Sequence, residues 1–223
     1  TRRSSDLDLT VPASFQYVLT LIRDPRCIYV HFAPPCGTSS RARFIQRKGR
    51  YNPPIVRTDA FPDGLPDLPP ELKLRVDTAN HLYDLTQQLC RECHHAGVLF
   101  SIENPARSFM WDTKHFKKFL ADIPHFQTRF HHCQFGSSRR KFTLLIHNIA
   151  CLQTLECRCD DSHPHEPWGQ TPTGWATSLE TAYPWALCRA IAAQVALHLQ
   201  NLGVICKTPR FAEQEIGRAS CRE

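Results

Sequence analysis

The sequence predicts an α/β fold with a mostly parallel sheet and an antiparallel hairpin. Three observations carry this. Cys27 to Phe32 and Val98 to Ile102 are short runs, apolar enough to be strands buried on both faces. A long amphipathic stretch, Glu71 to His95, lies between them, as a crossover helix joining parallel strands does. Phe126 to Cys133 and Phe142 to His147 flank Gly136 and can pair as a hairpin.

The elements follow in order. Val11 to Arg23 reads as a helix, with Pro12 in its first turn and Phe15, Val18, Leu19 and Ile22 at helical spacing. Asp24-Pro25 ends it, and the strand Cys27 to Phe32 follows. Ala33 to about Pro70 is rich in proline and arginine and reads as a long loop, of a length that is unusual unless functional. In the long helix Leu82, Leu85, Leu89 and Cys93 mark one face, and Gly97 suits its C-terminal cap. The second strand runs into Glu103-Asn104-Pro105. A short helix spans Lys114 to Ala121. After the hairpin comes a segment rich in Cys, His and Pro from Cys151 to Gly174. Thr181 to Leu202 forms a last helix, with Pro184 in its first turn and Gly203 beyond its end.

At 223 residues the chain is long enough for one domain with a real core. No run approaches the roughly 18 apolar residues of a membrane span, so no membrane partner is expected. Thr1-Arg2-Arg3-Ser4 reads as neither a signal peptide nor an initiator, so the chain is expected to be part of a larger polypeptide. Residues 1–214 form the expected domain. Residues 215–223 look like translated sequencing adapter, or else a native disordered tail. Eleven cysteines is a high count, yet Cys27, Cys90, Cys93 and Cys188 sit in apolar periodic segments, as buried free thiols do. A reducing compartment, nuclear or cytoplasmic, is expected. The net charge of +6 permits a nucleic-acid partner. Arg41, Arg43, Arg47, Lys48, Arg50 and Arg57 crowd one stretch and Arg139, Arg140 and Lys141 another; either is a phosphate-contacting patch or a solvated face.

Two loops carry chemistry, and both are expected outside the carboxyl ends of strands, where open α/β sheets place their sites. Pro34-Pro35-Cys36-Gly37 stiffens a cysteine at the end of the first strand. Methylation at C5 of a pyrimidine needs such a thiol, because C5 is a poor nucleophile until a thiolate adds at C6. Arg41 and Arg43 are near enough in sequence to lower the Cys36 pKa. The other reading of Cys36 is a structural cysteine in a proline-rich turn. Thymidylate synthases also present a Pro-Pro-Cys nucleophile, so the tripeptide selects no single family. Glu103, 67 residues later, ends the second strand as a carboxylate able to hold a base edge or merely to cap a turn.

Together, His31-Phe32-Ala33-Pro34-Pro35-Cys36-Gly37-Thr38-Ser39-Ser40-Arg41-Ala42-Arg43 and Ser101-Ile102-Glu103-Asn104-Pro105 resemble motifs IV and VI of DNA cytosine-C5 methyltransferases, in the divergent style of large retroelement-linked eukaryotic proteins. Gly37 departs from the usual Gln after the cysteine, and Pro105 from the usual Val after Glu-Asn. Cys133 to Thr143 resembles motif VIII, in which an arginine, here Arg139 or Arg140, supports the flipped base. Ala182 to Ala192 resembles motif X, and Asp8-Leu9-Thr10 a short motif III. The resemblance implies an incomplete Rossmann-like methyltransferase fold. It assigns Cys36 as nucleophile, Glu103 as its partner acid, and Arg139 and Arg140 as catalytic cations. It further implies S-adenosylmethionine as cofactor near Asp8, Pro34, Pro35 and Asn104, and DNA as partner along Arg41, Arg43 and Lys141. The Gly-rich motif I, the main cofactor cradle, is missing.

Residues 148–175 fall where this family carries its target-recognition insert. Cys157, Cys159, His163 and His165 are candidate ligands for a structural zinc; the alternative is a plain loop. Three functions follow: a DNA cytosine-C5 methyltransferase, a catalytically inactive methyltransferase-like module that binds nucleic acid, or a zinc-stabilised interaction domain.

Overall fold

The computed structural model describes residues 7–45, 52–171 and 174–204. Arg47, Lys48, Arg50 and the 215–223 tail lie outside them. Helix α1 (Pro12–Ile22) starts on Pro12, whose missing N–H is no loss in a first turn. Strand β1 (Tyr29–Phe32) follows, then the long loop, which contains one short 3₁₀ turn at Arg41–Phe44. Helix α2 (Pro70–His95), strand β2 (Leu99–Pro105), helix α3 (Lys114–Asp122) and strands β3 (Phe126–His131) and β4 (Phe142–His147) come next. A two-residue pairing of β5 (Gln170–Thr171) with β6 (Gly174–Trp175) leads through the one-turn α4 (Ala176–Leu179) to α5 (Trp185–Asn201). Among the described residues no helix is long and apolar enough to cross a membrane.

The main sheet has four strands in the order β1-β2-β4-β3. Only β1 and β2 are paired in parallel; β4 is antiparallel to both of its neighbours. The expectation of a mostly parallel sheet is therefore corrected to a mixed sheet. The expected β3–β4 hairpin forms, but β4 then inserts between β2 and β3, so its second edge pairs with β2 instead of staying open. Strands β1, β2 and β3 still run the same way, and their carboxyl ends share one edge. Gly136, at φ 90°, takes the left-handed conformation that turns the chain between β3 and β4.

Helices cover both faces, because each strand sends alternate side chains to opposite sides. Phe100 and Ile102 of β2, with Leu144 and Ile146 of β4, pack under α1, α2 and α3 in a core that includes Leu89, Cys93, Phe116 and Phe119. Leu99 and Leu145 face the other way and meet Leu187, Ile191, Val195 and Leu199 of α5 and the 3₁₀ turn Ala150–Leu155. In α2 the buried stripe runs Val76, Ala79, Tyr83, Thr86, Cys90, Cys93, with Leu85 and Leu89 widening it. Tyr83, not Leu82, is thus the central contact of this helix.

Strand β2 also runs three residues further than the sequence suggests. Glu103, Asn104 and Pro105 pair with Leu145, Leu144 and Thr143 of β4. Glu103 is therefore inside a strand, and β4 holds it there.

Candidate active site

The Ala33–Ser40 loop leaves β1 and is clamped from two directions. The Tyr83 hydroxyl of α2 donates to the Pro35 carbonyl at 2.6 Å. Asn104 Nδ2, from the end of β2, donates to the Pro34 carbonyl at 2.8 Å. Ser39 is fully buried, takes a hydrogen bond from Ser108 Oγ at 2.8 Å, and its carbonyl accepts from the Phe109 N–H. These contacts hold Cys36, half-buried, beside the carboxyl ends of β1 and β2.

Glu103 lies on the α5 side of the sheet and is 7% exposed. Thr143 Oγ1 donates to its Oε1 at 3.3 Å, and Lys141 Nζ stands 3.3 Å from the same oxygen. The Tyr183 hydroxyl donates to its Oε2 at 3.0 Å. Lys141, just before β4, and Thr143, within it, are two residues apart and both reach the face Glu103 uses. Arg139 and Arg140 go elsewhere. The buried Arg139 is bonded to Glu166 and Glu180, and Arg140 pairs with Asp161. The cation that the structure brings to Glu103 is thus Lys141, expected on DNA, and not either arginine expected to be catalytic.

A chain of hydrogen bonds continues from Tyr183. Its hydroxyl lies 3.0 Å from His31 Nε2; His31 Nδ1 lies 2.7 Å from Ser101 Oγ, and Ser101 Oγ 2.6 Å from the Tyr29 hydroxyl. With Tyr183 donating to Glu103, one assignment satisfies every group: Tyr29 donates to Ser101, Ser101 to His31, and neutral His31 to Tyr183. Burial agrees, holding the His31 pKa below its ordinary value although Glu103 pulls it up. Burial, followed by the charge of Glu103, also pushes the Tyr183 hydroxyl far up, so it stays a donor. On the other side of Thr143, His132 Nε2 lies 3.0 Å from Oγ1, and burial together with Lys141 pushes this imidazole down to about 3. A groove of about 530 Å³ between β1 and α5, lined by Tyr29, His31, Tyr183 and Cys188 among others, opens on this network.

Burial raises the Cys36 thiol pKa; Lys141 opposes this and Glu103 adds to it. Lys141 and Glu103 thus act on the sulfur in opposite directions. Arg41 and Arg43, expected to activate Cys36, are committed to the loop itself. Arg41 is ion-paired with Asp59 and stacks 4.1 Å over the Phe109 ring. Arg43 Nε donates to the Gly37 carbonyl at 2.7 Å and its Nη1 to that of Pro54 at 2.8 Å. Arg57 is 1% exposed and bonded to Pro62, Asn80 and Thr38, so it is a core residue and not part of a phosphate patch.

The residues expected to hold a cofactor are placed as follows. Asp8 is exposed, and its Oδ1 accepts from the N–H and hydroxyl of Thr10. Asn104 is 1% exposed, with Nδ2 on Pro34 and its Oδ1 buried without a partner. Pro34 and Pro35 offer carbonyls already taken by Asn104 and Tyr83.

A second cluster lies behind β3. Cys133, Cys159, His163 and His165 could hold a metal ion: one ligand atom from each lies within 4.8 Å of all the others. Cys133 stands where Cys157 was expected. Cys157 is bridged to Phe130 in parallel and its side chain packs against the α5-side core.

No protein-family model matches the chain, and no curated protein sequence or solved structure matches it.

Proposed function

We propose that the chain is the catalytic half of a cytosine-C5 DNA methyltransferase-like domain, with Cys36 as nucleophile and Glu103 as its partner acid. One observation carries this reading. The loop after β1 and the end of its parallel neighbour β2 bring Cys36 and Glu103 to the same edge of the sheet, where Asn104, next to Glu103, bonds the Pro34 carbonyl and Lys141 pairs with Glu103. The strand directions and the helices on both faces support half of a Rossmann-like sheet, whose sites form at that edge.

In this mechanism the target cytosine leaves the DNA stack and enters the cleft. The Cys36 thiolate forms a bond from Sγ to C6, and the C5–C6 π electrons become available at C5. Glu103 hydrogen-bonds the N3 edge and favours its protonated form, which offsets the charge developing on the ring. After transfer the C5 proton passes to water, the electrons of the C5–H bond re-form the C5–C6 double bond, and the C6–Sγ bond breaks with its electron pair returning to the Cys36 thiolate. Lys141 keeps Glu103 placed and eases ionisation of Cys36. The Tyr29–Ser101–His31–Tyr183 chain is a path by which a proton reaches Glu103.

S-adenosylmethionine would supply the methyl group, but the described residues do not form a cradle for it. Asp8 is engaged with Thr10, and Asn104 is buried against Pro34. The residues proposed here therefore account for the covalent step alone.

That step has its own test. DNA in which pyrimidin-2-one replaces cytosine accepts a thiolate at C6 without methyl transfer. Mass spectrometry should find the adduct on Cys36, lose it in Cys36→Ser, and see it diminished in Glu103→Gln. No adduct, or an adduct that survives Cys36→Ser, removes the enzyme reading. A second reading, an inactive module that holds nucleic acid, is favoured by one fact: three protein groups already occupy Glu103. Salt-sensitive DNA binding without an adduct would select it.

A further inference from the structure

We propose that Cys133, Cys159, His163 and His165 bind one Zn²⁺, which pins the loop after Cys157 onto the turn between β3 and β4. The ligand atoms are already close to the spacing it needs. Cys159 Sγ lies 3.4 Å from His165 Nε2 and 3.8 Å from His163 Nε2. Bonds of roughly 2.3 Å to sulfur and 2.0–2.1 Å to nitrogen, at tetrahedral angles, separate S and N by about 3.6 Å. All four ligand atoms lie within 4.8 Å of one another, so small side-chain rotations would bring them to the separations of roughly 3.3–3.8 Å that one tetrahedral ion sets. Two sulfurs and two imidazoles are the donor set of zinc, and not of magnesium or calcium, which take oxygen.

The backbone supports a thiolate at Cys159. The Asp161 N–H donates to Cys159 Sγ at 3.3 Å, a bond that is stronger to an anionic sulfur. Asp161 reaches that position with φ at 62°, a left-handed conformation that Asp tolerates better than most non-glycine residues. The Cys159 N–H is meanwhile held by His131 Nδ1 at 3.1 Å, which anchors the ligand to the end of β3.

The placement explains what the ion would do. Cys133 sits in the 3₁₀ turn directly after β3, whereas the other three ligands come from a stretch with no regular structure. That stretch already touches the β3–β4 turn through the Arg139–Glu166 and Arg140–Asp161 pairs and the Glu166 N–H on the Ser138 carbonyl. A metal would close the remaining side, and with it fix the segment that carries Lys141 toward Glu103.

The experiment is a metal count on the full chain purified without added metal, by mass spectrometry. About one zinc per chain is expected, as for a closed four-ligand site. Cys133→Ser and His165→Ala should lose it, and Cys157→Ser should keep it. Replacing the zinc with Co²⁺ in the unaltered chain should give the visible absorption of tetrahedral cobalt with two thiolates, a readout that needs no variant to fold. Sub-stoichiometric metal, octahedral cobalt spectra, a Cys133–Cys159 disulfide, or dependence on Cys157 instead of Cys133 would each overturn the site. The count and the pyrimidin-2-one adduct depend on different residues, so either can fail alone.

Discussion

Arg57 illustrates how little a residue's charge says about its place. In sequence it closes a run of basic residues; in the structure its guanidinium donates to Pro62, Asn80 and Thr38 and lies 5.6 Å from the Tyr83 ring centre. It ties the proline-rich loop to α2. Arg57→Met keeps much of the volume and leaves those acceptors without donors, each at a cost of about 1–3 kcal/mol when buried. Of these bonds only that to Thr38 is fully buried, so urea unfolding should show a loss of about 1–3 kcal/mol. A loss below about 1 kcal/mol would mean that water reaches the acceptors and that Arg57 is not holding the loop. The site residues were legible to different degrees for similar reasons. Cys36 and Glu103 stand out as candidates because each sits in a local motif, Cys36 in the loop after β1 and Glu103 near the end of β2. Lys141 was hidden among three basic residues, and only the two-residue repeat with Thr143 signals that it turns toward Glu103. Tyr183 and Cys133 join their sites across 80 and 26 residues respectively, and nothing local marks either.

Among the elements, those with strong periodicity stand where the sequence puts them. Helices α1, α2 and α3 differ from their expected bounds by at most one residue at either end. Proline at the first turn fixes where α1 and α2 begin. The final helix starts later than expected, at Trp185, because the chain is first drawn through Tyr183 toward Glu103. The buried face of α2 also differs, since aromatic Tyr83 reaches the loop at Pro35 as well as the core. Leu89 of this helix is completely buried between the sheet and its neighbours. Leu89→Ala should cost about 2–5 kcal/mol, the range for a buried leucine whose site cannot collapse. A thermal or urea shift equivalent to less than about 1 kcal/mol would show that α2 is loosely seated.

Over the whole molecule, the α5-side layer buries imidazoles in their neutral form, and this sets how stability responds to acid. His147 is fully buried, lies 2.8 Å from Thr128 Oγ1, and accepts from the Ile149 N–H; burial lowers its pKa to about 4. Its unfolded pKa is near 6.5, so the unfolded chain takes up a proton first as pH falls. Its contribution is therefore complete above about pH 6.5 and is lost progressively down to about pH 4. From pH 7 to pH 5 this one group should account for about 2 kcal/mol of lost stability. His147→Gln should flatten the profile by that amount in urea unfolding across this range. Equal slopes for the two chains would show that His147 is protonated without unfolding.

The sequence by itself determined the types and order of the main elements and singled out Cys36 and Glu103 as candidates; the two-sided burial it suggested holds for β2 but not for β1, which is only half-buried until Phe32. Those properties follow from short-range periodicity and from residues next to one another in the chain. Only the tertiary structure decided that β4 lies between β2 and β3, that Lys141 and Tyr183 enclose Glu103, and that Cys133 replaces Cys157 among the Cys/His group. Each of these depends on which strand edge or side chain meets another across tens of residues. Such meetings are settled by packing and hydrogen-bond satisfaction across the whole fold, which no local pattern encodes.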